Sequence, residues 1–91
     1  MYYMLIYDTV ENYVEKRAPF RTEHLGYSGA AHARGELFMG GVLSDPVDTA
    51  ILIFKADSPA VAETFARNDP YVKAGLIKSW TVRPWTVAIG G

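Results

Sequence analysis

The chain has 91 residues, of which 49% are hydrophobic and 21% are charged, so it is long enough for one packed domain and too short for two. Ten acidic and nine basic residues leave a formal charge of −1, with no positive excess for nucleic-acid phosphates or an anionic membrane surface. Cysteine is absent, which excludes disulfides, thiolate metal sites and cysteine nucleophiles. We therefore predict a single domain over residues 1–91 with neither a nucleic-acid nor a membrane partner.

The first seven residues are apolar or aromatic, but Asp8 interrupts the run. Seven residues are too few for a signal peptide, and no apolar run approaches the roughly 20 residues of a membrane span. We expect a cytoplasmic protein.

The first half of the chain predicts a strand followed by a helical region. Residues 2–7 are aromatic and aliphatic, which favours a buried strand. Residues 11–34 are charged, contain alanine and are predicted to be helical. Pro19 divides this region into a short and a longer piece, since proline favours a first helical turn over a helix interior. Gly35 is predicted to end the second piece.

The second half predicts a hairpin, a helix and a last strand. Residues 36–43 and 49–55 read as strands joined by a turn around Asp45-Pro46. Ser58 is a good N-cap for a helix that ends near Asn68, and a short helical turn at 70–74 leads into a strand over 76–85.

The resulting order is β-α-β-β-α-β in fewer than 100 residues. This order predicts an α+β fold, the ferredoxin-like sandwich, in which two helices cover one face of a four-stranded antiparallel sheet. Both faces of the strands are apolar, because Tyr3 and Leu5 point one way and Met4 and Ile6 the other. Two helices can cover only one face, so we predict a homodimer that packs through the sheets.

Two histidines, His24 and His32, are the only imidazoles. On one helix, residues eight positions apart are separated by about 12 Å of rise and about 80° of rotation, so the two side chains are not placed to chelate one ion. No glycine-rich phosphate loop is present. We predict no metal and no cofactor.

One arc of the second helix mixes apolar and polar groups. At 100° per residue the arc contains Phe20, Arg21, His24, Leu25, Ser28, Ala31 and His32. The apolar members predict that the arc faces the sheet. His24 and Ser28 would then either line a pocket or lie in the core, with the histidine satisfied by a backbone carbonyl.

Other polar residues also have two interpretations. Asp69 precedes Pro70, so it is either an N-cap of the short helix or a catalytic carboxylate. Arg17 and Arg21 either bind an anionic substrate or lie in solvent, paired with neighbours such as Glu23. Tyrosine and tryptophan side chains are more often found in a core or an interface than around a cofactor.

Several segments together resemble the YciI-like family, also called YCII-related proteins. The most specific are Arg-x-x-His-Leu at 21–25 and Asp-Pro-Tyr-Val-x-Ala-Gly at 69–75. Glu-Lys-Arg at 15–17, His-x-x-Gly-x-Leu at 32–37 and Val-x-Pro at 82–84 occur in the family order. Val42 departs from the pattern, since family members often have Gly-Pro after the preceding glycines.

The resemblance implies a dimeric α/β-barrel of ferredoxin-like subunits and an active site with a His–Asp pair, at positions that match His24 and Asp69. In such a pair the carboxylate fixes the imidazole tautomer, and the other ring nitrogen acts as a general base. We therefore predict an enzyme, a lyase or isomerase, that catalyses proton transfer or elimination on a small cyclic or carbonyl compound by general acid/base chemistry, with Arg17, Arg21 and Ser28 binding the substrate. The alternatives are a non-catalytic domain that binds a small molecule in the same cleft, and a purely structural dimerisation module.

Overall fold

The computed structural model describes residues 1–91, which form a four-stranded antiparallel sheet with helices on one side. The strands are β1 (Tyr2–Thr9), β2 (Leu37–Val42), β3 (Thr49–Lys55) and β4 (Ile77–Trp85). The helices are α1 (Tyr13–Lys16), α2 (Arg21–Ala33), α3 (Ala60–Asn68) and α4 (Pro70–Lys73), with a short 3₁₀ turn at Ala18–Phe20. The predicted β-α-β-β-α-β order is confirmed.

The residues that were predicted to begin, divide or end helices do so in the structure. Pro19 lies inside the 3₁₀ turn, between α1 and α2. Gly35 follows α2 with a φ of 80°, a left-handed conformation that favours glycine, and its N–H donates to the carbonyl of His32. The Ser58 hydroxyl accepts a hydrogen bond from the Ala60 N–H at 3.3 Å, as an N-cap does.

The sheet has the strand order β2-β3-β1-β4, which places β1 in its interior. β1 pairs with β3 from Tyr2↔Lys55 to Asp8↔Thr49, and with β4 on its other edge. The strand runs two residues further than the predicted 2–7, because Asp8 and Thr9 also have partners on neighbouring strands. β2 and β3 form the predicted hairpin.

The core lies between the sheet and the helices α2 and α3. From β1 it takes Tyr3, Leu5 and Tyr7, each no more than 7% exposed, and the helices add small and aromatic side chains. The cluster consists of Tyr3, Leu5, Tyr7, Ala31, Leu37, Ala50, Leu52, Phe54, Ala62, Phe65 and Ala66. None of the helices has the length and apolar character needed to cross a bilayer.

The opposite face of the sheet is apolar on β1, β2 and β3, whereas β4 adds Thr81 beside Ile6 and Arg83 beside Met4. The register places Met4 beside Ile53 and Ile6 beside Ile51 on this face, and Met39 extends the row on β2. Met39 is 57% exposed, and Phe38 and Trp85 are each 43% exposed. The helices pack on the other side, so in one chain no helix covers this face, although Ile53 is only 6% exposed.

Candidate active site

A cavity of about 250 Å³ opens between α2 and the sheet. Arg21, His24 and Ser28 project into it from successive turns of α2, while the backbone of Gly40 and Gly41 and side chains of β3 form the opposite wall. Its lining residues are Tyr7, Tyr13, Arg17, Arg21, His24, Leu25, Ser28, Leu37, Gly40, Gly41, Val42, Ala50, Leu52 and Tyr71. The four residues from 21 to 28 that were expected to share one helix arc therefore border a single cavity.

Asp69 lies at the junction of α3 and α4, with its side chain fully buried. Its backbone is extended, since the residue before a proline disfavours the helical conformation, and Pro70 begins α4. The Oδ1 atom accepts hydrogen bonds from the Tyr71 N–H at 2.9 Å and from His24 Nδ1 at 2.8 Å. Asp69 is thus both the N-cap of α4 and the partner of His24, so the two interpretations of this residue are not exclusive.

The second oxygen of Asp69 is held by Tyr7. The Tyr7 hydroxyl donates to Oδ2 at 2.7 Å from the inner face of β1, where the side chain is 1% exposed. Burial raises the pKa of Tyr7 far above its ordinary value, and the nearby negative charge of Asp69 raises it further. Tyr7 therefore remains a hydrogen-bond donor at any physiological pH.

Three donors thus converge on one buried carboxylate, and because a carboxylate has no proton to donate, the contact with Asp69 fixes the histidine tautomer. With the Tyr7 hydroxyl and the Tyr71 N–H both donating, a carboxylate at Asp69 can only accept from His24, so the proton of the neutral ring lies on Nδ1. Nε2 is then left as a proton acceptor, with Ser28 Oγ at a long 3.4 Å. The predicted contact between His24 and Asp69 is present.

The imidazole of His24 is also held by an aromatic stack. The Tyr71 ring lies 3.8 Å from it, centroid to centroid, with only 6° between the planes. The rings of Tyr13 and Tyr71 are nearly perpendicular, with 5.8 Å between their centroids. Because the stack and the Asp69 hydrogen bond both constrain the ring, His24 has little freedom to turn although its side chain is 15% exposed.

The predicted substrate-binding arginines both line the cavity and have no carboxylate partner. The ion pairs of the chain join His24 with Asp69 and Arg34 with Glu36, so the alternative pairing of Arg17 or Arg21 with Glu23 is not found. The Arg17 guanidinium lies 5.2 Å from the centre of the Tyr13 ring. Two positive charges at the cavity are thus uncompensated by an ion pair.

One detail of the expected helix arc is wrong. Leu25 was expected to face the sheet but is 53% exposed, because the cavity separates this part of α2 from the strands and leaves Leu25 at the rim. His32 does not border the cavity; its Nδ1 lies 2.8 Å from the carbonyl oxygen of Leu37. The contact with a backbone carbonyl that was considered for His24 is made by His32 instead.

Sequence reasoning assigned tyrosines to the core or an interface and so missed Tyr7, Tyr13 and Tyr71 as parts of the site. For Tyr7 a signal was available, since a tyrosine on the inner face of a strand needs a buried partner for its hydroxyl. Tyr71 follows Asp69 by two residues in the same segment. Its stacking on His24 depends on how α4 packs against α2, which local sequence does not encode.

Comparisons with known proteins agree with this architecture. The 5-chloro-2-hydroxyhydroquinone dehydrochlorinase TftG from Burkholderia phenoliruptrix AC1100 is 23% identical to this chain. Its structure, in complex with 2,5-dihydroxybenzoquinone, superposes with a TM-score of 0.78 over 94% of each chain. Protein Atu4242 from Agrobacterium tumefaciens is 13% identical, with a TM-score of 0.52 over 91% of this chain and 89% of the other. These matches confirm the predicted fold class, an α+β ferredoxin-like sandwich with the order β-α-β-β-α-β. No match was found among curated protein sequences. The YCII-related domain matches residues 1–86, nearly the whole chain, and the chain therefore belongs to the YCII-related family.

Proposed function

We propose that this protein is a small-molecule enzyme, a lyase or isomerase, in which His24 is the general base and Asp69 orients it. The observation that carries the proposal is the 2.8 Å contact between His24 Nδ1 and a fully buried carboxylate, made at the wall of a cavity. A histidine held in this way has one nitrogen fixed and the other available to a ligand, as general base catalysis requires.

The proton transfer follows from this arrangement. Nε2 takes a proton from a carbon next to a carbonyl group, and the electron pair of the broken C–H bond moves towards the carbonyl oxygen to give an enolate. The imidazolium that forms is stabilised by the charge of Asp69. Return of the proton to another carbon completes an isomerisation, whereas departure of an anionic leaving group from the enolate completes an elimination.

The cavity suits a small cyclic or carbonyl compound. A volume of about 250 Å³ exceeds the roughly 150 Å³ that accommodates a benzene ring and is below the usual range for drug-sized ligands. Arg17, Arg21 and Ser28 are the side chains that would bind such a substrate, and the unpaired arginines favour an anionic one. TftG supports the same substrate class, because it is a dehydrochlorinase crystallised with a dihydroxybenzoquinone and shares this fold.

The proposal is tested with a panel of hydroxyquinones, chlorinated hydroquinones and lactones, whose consumption is followed by absorbance and chromatography. We expect His24→Gln to lower turnover about 100-fold or more while the protein stays folded. His32→Gln is the matched control, since His32 lies outside the cavity and makes its contact with a backbone carbonyl. Equal activity of wild type and His24→Gln would overturn the assignment of the general base.

The non-catalytic alternative predicts a different outcome. A domain that only binds would consume no member of the panel, and His24→Gln would change ligand affinity without any turnover to lose. That result would replace the enzyme proposal with a small-molecule-binding function of the same cavity.

We further propose that the protein is a homodimer that packs through the open face of the sheet. Met39, Phe38 and Trp85 leave about half of their surfaces in solvent on one chain, and Met4, Ile6 and Ile51 lie between them. A continuous apolar face of this kind is unusual on a soluble monomer. A second copy offers the same surface, so a twofold arrangement covers both faces at once.

Light scattering at micromolar concentration tests the dimer. Wild type is expected to have twice the mass of the chain, and Ile51→Lys, at the centre of the open face, is expected to give folded monomers. Val14→Lys is the control, because Val14 is 50% exposed on α1, away from this face. A wild-type protein that stays monomeric would contradict the proposal.

A further inference from the structure

The hydroxyl of Tyr71 is buried but has no hydrogen-bond partner. The residue is 2% exposed, and its ring is fixed between the imidazole of His24 on one side and the edge of Tyr13 on the other. Buried hydroxyls without a partner are uncommon in folded proteins, because the lost hydrogen bond to water is not replaced. Since the Tyr71 ring is held in place on both sides, its hydroxyl cannot rotate towards a partner elsewhere in the protein.

The surroundings of this hydroxyl are positively charged. Arg17 and Arg21 line the same cavity as Tyr71, and neither is paired with a carboxylate. Burial raises the pKa of Tyr71, whereas the charges of Arg17 and Arg21 and a hydrogen-bonding approach of Arg21 lower it. A guanidinium can only donate, so the proton of the Tyr71 hydroxyl still has no acceptor. The nearest negative charge, Asp69, already accepts three hydrogen bonds.

A group that accepts hydrogen bonds and carries negative charge would match all three side chains. Water would accept a hydrogen bond from Tyr71, but it carries no charge to attract Arg17 and the exposed Arg21. An ionised oxygen does both, and hydrogen bonds to a charged oxygen are about twice as strong as those between neutral groups. The ring of Tyr71 lies directly against that of His24, so such an oxygen would be held beside the imidazole.

We propose that the Tyr71 hydroxyl and Arg21, with Arg17 beside them, form an oxyanion subsite that binds an ionised phenol-type or enol-type oxygen of a ring compound. The role of this subsite in catalysis rests on the proposed function. As His24 Nε2 takes a proton from the substrate, negative charge develops on the substrate oxygen, and the subsite stabilises that charge. It narrows the substrate class from small cyclic or carbonyl compounds to those whose oxygen is ionised on binding or becomes so during the reaction.

The binding test uses 4-nitrophenol, whose neutral and anionic forms differ in visible absorbance, and 4-nitroanisole, which has the same ring but no ionisable oxygen. Wild type is expected to bind the phenolate form at least tenfold more tightly than the anisole. Tyr71→Phe keeps the stacked ring and removes only the hydroxyl; Arg21→Gln removes only the charge. Each is expected to weaken phenolate binding about tenfold, as loss of a hydrogen bond to a charged group does, and to leave anisole binding within about twofold.

Arg67→Gln is the control for charge, since Arg67 is exposed on α3 and does not border the cavity. Unchanged phenolate affinity in both Tyr71→Phe and Arg21→Gln would overturn the subsite, and so would undetectable phenolate binding by wild type. Circular dichroism establishes that the variants fold; if Tyr71→Phe does not, Arg21→Gln decides, because Arg21 is exposed and outside the core.

The phenolate-binding test can be interpreted independently of the enzyme proposal, because it measures affinity and needs no turnover. His24→Gln is expected to lower turnover about 100-fold or more while keeping phenolate affinity within a few-fold. If no substrate is consumed but Tyr71→Phe still weakens phenolate binding, the subsite stands and the general base assignment fails. If His24→Gln loses turnover but Tyr71→Phe binds the phenolate normally, the enzyme proposal stands and the subsite fails.

Discussion

Three tyrosine hydroxyls in this protein differ in their hydrogen-bond partners. The difference predicts how much stability the protein loses when each tyrosine is replaced by phenylalanine. Tyr7 donates to the buried carboxylate of Asp69 at 2.7 Å, Tyr27 donates to the backbone carbonyl of Phe65 at 2.9 Å, and the hydroxyl of Tyr71 has no partner. Replacing each tyrosine with phenylalanine removes one hydroxyl and leaves the ring in place. The series therefore compares a hydrogen bond to a charged group, one to a neutral group and none.

The magnitudes follow from the partners. A hydrogen bond to a charged group contributes about 1.5–3 kcal/mol, so Tyr7→Phe is expected to lower the free energy of unfolding by about 2 kcal/mol. A bond between neutral groups contributes about 1 kcal/mol, which is the expectation for Tyr27→Phe. Tyr71→Phe removes a buried hydroxyl that has no partner, so it is expected to leave the free energy of unfolding unchanged or to raise it. For a domain of this length a loss of about 2 kcal/mol lowers Tm by roughly 8–16 °C.

Urea denaturation followed by circular dichroism measures the three free energies at one protein concentration, since association would make them concentration-dependent. The reasoning is refuted if Tyr27→Phe costs as much as Tyr7→Phe, because the carboxylate would then add nothing to the buried hydrogen bond. A large loss in Tyr71→Phe would show that its hydroxyl has a partner in the unliganded protein.

Other consequences concern Asp69 and alkaline pH. Asp69→Asn keeps an acceptor for the Tyr71 N–H, so we expect the α4 cap to persist while turnover falls about tenfold or more. The loss of turnover should not add to that of His24→Gln, because the two residues act as a unit. Assays of the two single variants and the double variant check this. Asp69→Ala also removes the cap, and thermal melts should show about 1 kcal/mol of further destabilisation relative to Asp69→Asn. Burial and Asp69 raise the pKa of Tyr7 above the ordinary value of 10.0, so above that pH the unfolded chain loses a proton that the folded chain keeps. Stability should therefore be at its full value below about pH 10 and fall as pH rises further, with a shallower fall in Tyr7→Phe; urea titrations at several alkaline pH values would contradict this if both proteins showed the same slope.

The sequence by itself determined the order of the elements and the division of each strand into two faces. These features depend on local chemistry: Pro19 and Gly35 divide and end the helices, and the alternation of side chains along β1 separates Tyr3 and Leu5 from Met4 and Ile6. The apolar character of both faces is likewise readable, since the side-chain period of a strand is two. The family motifs then brought His24 and Asp69 together, which spacing alone had left as two separate alternatives.

Only the tertiary structure decided what surrounds that pair. Asp69 is 62 residues from Tyr7 and 45 from His24, so the three-donor network exists only because β1, α2 and the start of α4 meet at one point. Its geometry also places Leu25 at a cavity rim although its helical position predicted burial, and it leaves the Tyr71 hydroxyl without a partner. Local propensity and periodicity describe how one segment folds, whereas hydrogen-bond partners and cavities arise between segments distant in the chain, where packing sets the distances.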